Sequence, residues 1–283
     1  MEKIKKYFIF SIIGIISFAV GIKSSNAQEY VNYNGIHMTS SEYNTLLNLG
    51  FTKNQIYHMD QETYETNKDA DAKLVSQTTR YYKTITPAYG TGYDVEITEE
   101  EYNNSGNNKL EFDRGYVDTT YKTITSSIAQ NGNKYRYNVS TIWKIMPSNR
   151  SYDIIGIGFA DSVYINSSVY FSFTYANASW QYTTSTQYYN KKSVSTGGAA
   201  VYKLPSGTIK SLSASLYYDV SKSTSATITS LSICGDYAHA TGNVSVGNVA
   251  DYGISIYGIS LGASLAGLYD ATPCAMEYAN VSW

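Results

Sequence analysis

The stretch from Ile209 to Val220 has an apolar side chain at every second position over most of its length. The apolar positions are Leu212, Ala214, Leu216, Tyr218 and Val220, and the positions between and before them are Ser211, Ser213, Ser215, Tyr217 and Asp219. Successive side chains of a β-strand point to opposite faces of a sheet, so this pattern predicts a strand with one buried face and one hydroxyl-rich face. A strand satisfies its backbone hydrogen bonds beside other strands, and the fold must therefore contain a sheet.

A second β-rich run follows this strand. Residues 221–225, Ser-Lys-Ser-Thr-Ser, have the composition of a turn, and residues 226–233 again favour a strand. The second run leads into Cys-Gly-Asp-Tyr-Ala-His at positions 234–239, the densest cluster of chemically reactive residue types in the chain. We expect the two strands to lie side by side, with this cluster at the end of the second strand.

Many other short segments have strand character. The clearest is a predicted hairpin, in which residues 116–128 and 134–146 flank the turn sequence Gln-Asn-Gly-Asn at 130–133. Further β-rich runs, including the glycine-rich stretch 252–268, are separated by turn signals, and helices do not alternate with them. This pattern predicts a mainly β fold, an antiparallel β-sandwich of jelly-roll-like type that covers residues 74–283.

The first 27 residues have the three parts of a secretory signal peptide. Three lysines at positions 3, 5 and 6 form a basic start, residues 7–22 are almost continuously apolar, and Ser25-Asn26-Ala27 has the small residues of a cleavage site. The alternative is a membrane anchor, but this apolar run is shorter than the roughly 20 residues that a membrane-spanning helix needs. We expect the mature protein, residues 28–283, to be secreted as an extracellular protein with no stable membrane span.

Residues 28–73 are predicted to form a short helical module and a linker. Two capping boxes, Thr39 with Glu42 and Thr52 with Gln55, predict helix starts, and Asp60 predicts a third. Helices this short are not stable alone in water, so we expect their apolar side chains to pack on one another or on the β-rich part.

The charge and the cysteine content limit the classes of binding partner and indicate the compartment of the protein. The mature chain has 17 basic and 22 acidic residues, because four of the 21 basic and one of the 23 acidic residues precede Gln28. The resulting net charge of −5, with no basic stripe, argues against a nucleic-acid partner. Cys234 and Cys274 are the two cysteines of the chain, and an oxidising compartment favours a disulfide bond between them. The alternative is a catalytic thiol, which requires a reduced cysteine.

Residues with catalytic or metal-binding chemistry are scarce. The three histidines form no close ligand pair, and the sequence contains no phosphate-binding loop and no nucleophile elbow. The one candidate is Asp236 with His239, in which the carboxylate would orient the imidazole as a general base. A spacing of three places these side chains on opposite faces of an extended strand, so the simpler interpretation gives both a structural role. We expect no cofactor and no bound metal.

Tyrosine dominates the composition, since 29 of the 30 tyrosines lie after residue 27. A buried phenol needs a hydrogen-bond partner for its hydroxyl group, so we expect many tyrosines on sheet faces and loops. Tyrosine with abundant serine and asparagine is typical of recognition surfaces, although tyrosine and threonine also suit strands that face solvent. The candidate binding residues are Tyr217, Tyr237, Tyr269 and Asp270.

Three parts of the chain together resemble uncharacterised exported proteins of Gram-positive bacteria. These parts are the signal peptide, the helical segment from Met38 to Met59, and the sequence Gly-Asp-Tyr-Ala-His-Ala-Thr at 235–241 with Tyr269-Asp270. The resemblance implies a bacterial, exported protein, and it implies no activity.

These observations favour a secreted, non-catalytic protein that binds a glycan or a protein at or outside the cell surface. Two alternatives remain. Residues 169–189 and 194–204 are long, weakly charged and rich in serine and threonine, as are the amphipathic hairpins of membrane-active toxins that assemble a β-barrel. The other alternative is a secreted hydrolase that uses Asp236 and His239.

Overall fold

The computed structural model describes residues 28–87, 91–105, 116–160, 162–270 and 272–283. The predicted signal peptide, residues 1–27, lies outside the described residues. The structure is mainly β, with antiparallel sheets in a sandwich-like arrangement and a few short helices, most of them near residue 50. The fold class predicted from the sequence is therefore confirmed.

The described chain begins with a small hairpin and three short helices, which together are called the helical module below. Its elements are β1 (Glu29–Val31), β2 (His37–Thr39), α1 (Ser40–Asn48), α2 (Lys53–Tyr57) and α3 (Gln61–Asn67). The three helices begin after the predicted N-cap residues Thr39, Thr52 and Asp60, and the first two caps are complete capping boxes. Among the described residues, no helix combines the length and the apolar character that crossing a membrane requires.

Strands make up most of the remaining described chain. In chain order the elements are β3 (Ala72–Pro87), β4 (Tyr93–Ile97), α4 (Glu99–Asn104), β5 (Tyr116–Asn131), β6 (Lys134–Ile145), β7 (Tyr152–Phe159), β8 (Val163–Ile165), β9 (Tyr170–Asn177), β10 (Tyr182–Ser185), β11 (Asn190–Val194), β12 (Gly197–Lys203), β13 (Ile209–Lys222), β14 (Ser230–Ala238), β15 (Tyr252–Ser255), β16 (Gly258–Leu261) and β17 (Ala275–Asn280).

Two sheets form the sandwich. The larger sheet has the strand order β10-β9-β13-β6-β5-β3-β4, and β8 also pairs with β13. The smaller sheet has the order β11-β12-β7-β14-β17. The predicted hairpin is present as β5 and β6, and Gly132 in its turn has a φ of 60°, a conformation that glycine adopts at little cost.

Apolar side chains from the facing sides of the two sheets form the main core. The predicted alternation of β13 is present, because Leu212, Leu216 and Val220 lie in this core with no exposed surface. The other face of β13 meets the helical module, where Tyr217 packs edge-on against Phe51 with ring centroids 5.1 Å apart. The period of two in this strand therefore separates the sandwich core from a second layer.

The helical module covers part of the outer face of the larger sheet. The carbonyl oxygen of Gly50 accepts hydrogen bonds from the side chains of Ser127 and Asn138, at 3.1 and 2.6 Å. Gln55 of α2 also donates to the amide oxygen of Asn138 at 3.1 Å. The polar face of β5 and β6 is thereby buried under the helices, which is why residues 135–141 of β6 are buried on both faces.

Two predicted strand arrangements differ from the structure. β13 and β14 do not pair with each other, since the connection between them carries the chain from the larger sheet to the smaller one. The stretch 252–268 forms the short hairpin of β15 and β16 and then a series of turns. An alternating pattern specifies which face of a strand is buried but does not specify its neighbour. β15 ends in a tight turn at residues 256–257, and Gly258, with a φ of 93°, begins β16 directly after it.

Candidate functional site

Cys234 and Cys274 lie at bonding distance, with their sulfur atoms 2.07 Å apart. Cys234 belongs to β14, and Cys274 directly precedes β17, which pairs with β14. The bridge closes a loop that spans 40 residues and contains β15, β16 and Asp270. Among the described residues there is no free cysteine.

His239 is paired with Asp153 of β7, and not with Asp236, its partner in the candidate catalytic pair. Its Nδ1 lies 3.0 Å from both carboxylate oxygens of Asp153. The same carboxylate accepts hydrogen bonds from the hydroxyl group of Tyr237 and from the backbone N–H of Ala240. Burial alone would lower the pKa of His239, but the Asp153 carboxylate raises it above its ordinary value.

Tyr237 links the two sheets through its hydroxyl group. This side chain has no exposed surface. Its hydroxyl shares a hydrogen bond of 2.9 Å with Tyr202 of β12 and accepts one of 3.2 Å from Nε1 of Trp143. Trp143 belongs to β6 of the larger sheet, so this hydrogen bond crosses the sandwich.

Lys122 of β5 makes the second polar link across the sandwich. Its Nζ lies 2.6 Å from Oδ2 of Asp94 on β4 and 2.6 Å from Oδ2 of Asp270, and all three side chains are fully buried. Burial alone would lower the pKa of Lys122, but the two carboxylates raise it above its ordinary value. Burial and the neighbouring Asp94 raise the pKa of Asp270 to about 6. Its Oδ1 accepts the backbone N–H of His239 at 2.7 Å.

Asp236 has a different set of partners. Its carboxylate accepts the backbone N–H of Tyr237 at 2.7 Å and that of Ile259 at 2.8 Å, which fixes β16 to β14. Burial raises the pKa of Asp236 to about 7. These contacts give Asp236 a role in holding the small hairpin in place.

Asp153, His239, Tyr237, Lys122, Asp94, Asp270 and Asp236 are called the buried polar cluster below. Every member is at most 8% exposed, and none of them lines either of the two cavities described next. A general base must reach the proton that it removes, directly or through one water molecule. The arrangement therefore suits cohesion of the fold, because each buried ionisable group has an opposite charge or hydrogen-bonding groups beside it.

One of two clefts on the outer face of the larger sheet is called the groove below. It has a volume of about 330 Å³ and lies between the helical module and strands β9, β10 and β13. Ten of its 24 lining residues are serines or threonines, and the amides of Asn54 and Gln55 add further donors and acceptors. The serines and threonines are Thr63, Thr66, Ser140, Ser168, Ser172, Thr174, Thr184, Thr186, Ser213 and Ser215. Such a lining can hydrogen-bond a ligand with many hydroxyl groups.

The second cleft adjoins the groove and also has a volume of about 330 Å³. Arg136 and Asp219 line its wall and form a bidentate ion pair, with Nε–Oδ1 and Nη2–Oδ2 distances of 2.7 and 3.2 Å. The guanidinium also stacks on the ring of Tyr217 at 4.7 Å. Tyr170 stacks on the same ring, with ring centroids 4.8 Å apart and an angle of 12° between the ring planes. Tyr217 is therefore held rigidly between its neighbours.

The charged and ionisable groups on the groove wall are partly committed to other contacts. Burial lowers the pKa of His58 to about 4, so its imidazole is neutral at physiological pH. Lys191 donates to the carbonyl oxygen of Val169 at 2.9 Å and lies over the ring of Tyr188 at 4.7 Å. The groove thus presents mainly neutral hydrogen-bonding groups.

The structure separates the four candidate binding residues. Tyr217 lines both cavities, whereas Tyr237 and Asp270 belong to the buried polar cluster. Tyr269 is 2% exposed and donates its hydroxyl hydrogen to the carbonyl oxygen of Tyr152 at 2.7 Å. Tyr170 of β9 also lines both cavities, but it is not among the four candidates predicted from the sequence. The sequence signal for this surface is the row of serine and tyrosine residues on β13, the strand beside β9.

Within the described part of the chain, no group of three or more His, Cys, Asp or Glu side chains is arranged to hold a metal ion. No protein-family model matches this chain, and no curated protein matches it either.

Proposed function

We propose that this protein is a secreted, non-catalytic binding protein that holds a saccharide in the groove. The observation that carries the proposal is the ring of serine and threonine hydroxyls beside the exposed ring of Tyr170. Saccharides offer many hydroxyl groups and flat apolar faces, which hydroxyl and amide side chains and a tyrosine ring complement.

The position of the groove supports the same proposal. Its floor is a sheet whose side chains are held by cross-strand hydrogen bonds, between Ser172 and Ser215 at 3.0 Å and between Thr174 and Thr184 at 2.9 Å. Groups fixed in this way lose little conformational freedom when a ligand binds. The candidate general base His239 is buried away from the groove, in keeping with binding without catalysis.

The test uses the mature chain, residues 28–283, on a glycan array and then in solution with the saccharides that bind. Thr186 lines the groove and is exposed, so Thr186→Trp should block the groove without disturbing the core. Thr183 is also exposed but does not line the groove, and Thr183→Trp is the matched control. We expect Thr186→Trp to weaken binding by about tenfold or more and Thr183→Trp to bind like the wild type. Absence of binding to every glycan, or equal binding by both variants, would contradict the proposal.

The two alternative functions give different results with the same protein. A membrane-active toxin releases dye from liposomes, and the segments that would insert are residues 169–189, which contain β9 and β10, and residues 194–204. A hydrolase consumes a substrate, and its activity would be lost in an Asp236→Ala, His239→Ala variant. Dye release or turnover without saccharide binding would replace the proposed function.

A further inference from the structure

The groove and the second cleft form one continuous surface. Thr66, Tyr170 and Tyr217 line both cavities, so the stacked rings of Tyr170 and Tyr217 form the boundary between them. Each cavity alone, at about 330 Å³, is at the lower end of the size range of small-molecule pockets. A ligand that fills both has to pass over this boundary.

The boundary is a rigid platform. Tyr217 covers one face of the Tyr170 ring, and 41% of the surface of Tyr170 stays exposed. Arg136 supports Tyr217 from another side, and Asp219 holds the guanidinium in place through two hydrogen bonds. A ring fixed by a stack and an ion pair offers contact area at low entropic cost.

The charge of the lining restricts the class of ligand. Four carboxylates and two cationic side chains line the two cavities, which gives a net charge of −2. These residues are Asp60, Glu62, Asp69, Asp219, Lys191 and Arg136. Arg136 is neutralised by Asp219, so sulfate or carboxylate groups of a ligand would find few cations and would meet carboxylates of like charge.

We propose that the ligand is a linear, uncharged saccharide chain that occupies both cavities and crosses the ring of Tyr170. This inference rests on the proposed function and adds the length and the charge of the ligand. Units on the two sides of Tyr170 bind as parts of one molecule, so affinity rises when the chain becomes long enough to reach the second cavity.

The experiment measures affinity against chain length. The probes are glucose, mannose, xylose and N-acetylglucosamine oligomers from the monosaccharide to the hexasaccharide, with sulfated and uronate-containing chains beside them. For the oligomer that binds, we expect a step of about tenfold or more in affinity at the length that bridges the two cavities. Anionic chains should bind more weakly than neutral chains of equal length.

Two variants locate the step. Asp69 is exposed and lines the second cleft but not the groove. Asp69→Trp should therefore abolish the higher affinity of long chains and leave the affinity of short chains unchanged. Tyr170→Ala should weaken the binding of long chains by about tenfold. The control is Tyr164→Ala, which removes a 50% exposed tyrosine that lines neither cavity and should leave the affinity unchanged.

The outcomes separate this inference from the proposed function. Binding of saccharides with no dependence on length, or with no effect of Asp69→Trp, overturns the two-cavity ligand and leaves the proposed function standing. Tighter binding of sulfated or uronate chains overturns the uncharged class. Binding of no saccharide at all overturns both.

Discussion

Replacement of Lys122 by methionine is expected to destabilise the folded protein by about 3–5 kcal/mol at pH 7.5 or above, the range found when one partner of a buried ion pair is removed. The ammonium group lies 2.6 Å from Oδ2 of Asp94 and of Asp270, and its side chain has no exposed surface. Methionine has a similar length and volume, so the side chain still fills the space beside Trp143 and Tyr237. The loss of stability therefore measures the cost of burying the two carboxylates without a cation.

The same substitution has a predictable pH dependence. Burial and Asp94 already raise the pKa of Asp270 to about 6 in the wild type, against an ordinary value of 3.8. Without Lys122 that pKa rises further, so the folded variant keeps a proton that the unfolded chain and the folded wild type release. The difference in stability between the two proteins should shrink by up to about 1.4 kcal/mol per pH unit as the pH falls from 8 towards 6. Below the wild-type pKa of about 6 both folded proteins hold this proton, and the difference should then stay constant.

Urea denaturation at a series of pH values measures this difference directly. Lys210→Met, which changes an exposed lysine of β13, is the control and should alter stability by no more than about 0.5 kcal/mol. A loss below about 1 kcal/mol for Lys122→Met, or a loss that does not change with pH, would refute the assignment of this lysine as the counter-ion of two buried carboxylates.

Three further predictions concern stability. Burial raises the pKa of Asp236 to about 7 and that of Asp270 to about 6, and Asp153 raises the pKa of His239, so the folded state holds protons that the unfolded chain releases. Burial lowers the pKa of His58 to about 4, which acts in the opposite direction and offsets part of this effect. The raised pKa values outweigh the lowered one, so wild-type stability should fall by roughly 2–3 kcal/mol as the pH rises from about 5 to 8. A flat melting profile would contradict this. Replacement of Cys234 and Cys274 by serine should cost about 4 kcal/mol in urea denaturation, from the chain entropy of a 40-residue loop, and secreted protein should resist thiol labels until it is reduced. Gly50→Ala should destabilise the protein by about 1–3 kcal/mol, since Gly50 has a φ of 85° and an added Cβ would clash with the hydroxyl oxygen of Ser127. Faster cleavage of the helical module by a protease would reveal this loss of stability.

Local patterns in the sequence predicted the local structure well. The capping boxes of α1 and α2 and the turn between β5 and β6 depend on residues within a few positions of one another, and all are present. The alternation in β13 correctly separates its core face from its hydroxyl face. What it lacks is information on neighbours, which is why the predicted pairing of β13 with β14 was wrong.

The buried polar cluster could not be predicted from the sequence. Lys122 and Asp270 are 148 positions apart, and Asp153 and His239 are 86 positions apart. No local motif connects such residues. The contact between Asp153 and His239 follows from the pairing of β7 with β14 in the smaller sheet, and the contact between Lys122 and Asp270 follows from the packing of the segment before β17 on the larger sheet.

The expectation that many tyrosines lie on sheet faces and loops says nothing of the tyrosines that are buried in this interior. Tyr202, Tyr218 and Tyr237 are wholly buried, and each hydroxyl has a partner. A phenol can be hidden when another phenol or a backbone carbonyl is placed to receive its hydrogen bond, and the sequence does not reveal such placement.

The walls of the groove come from two stretches of chain that are far apart in sequence, with α2 and α3 on one side and β9, β10 and β13 on the other. A molecule bound there contacts both stretches at once, and it makes all of its contacts only while the helices are packed on the sheet. Ligand affinity and the seating of the helices are therefore thermodynamically linked, because whatever favours one favours the other by the same free energy. Saturating ligand should then protect the connection around Asp69 from proteases, and a loosened helical module should bind more weakly without any change in the residues that touch the ligand.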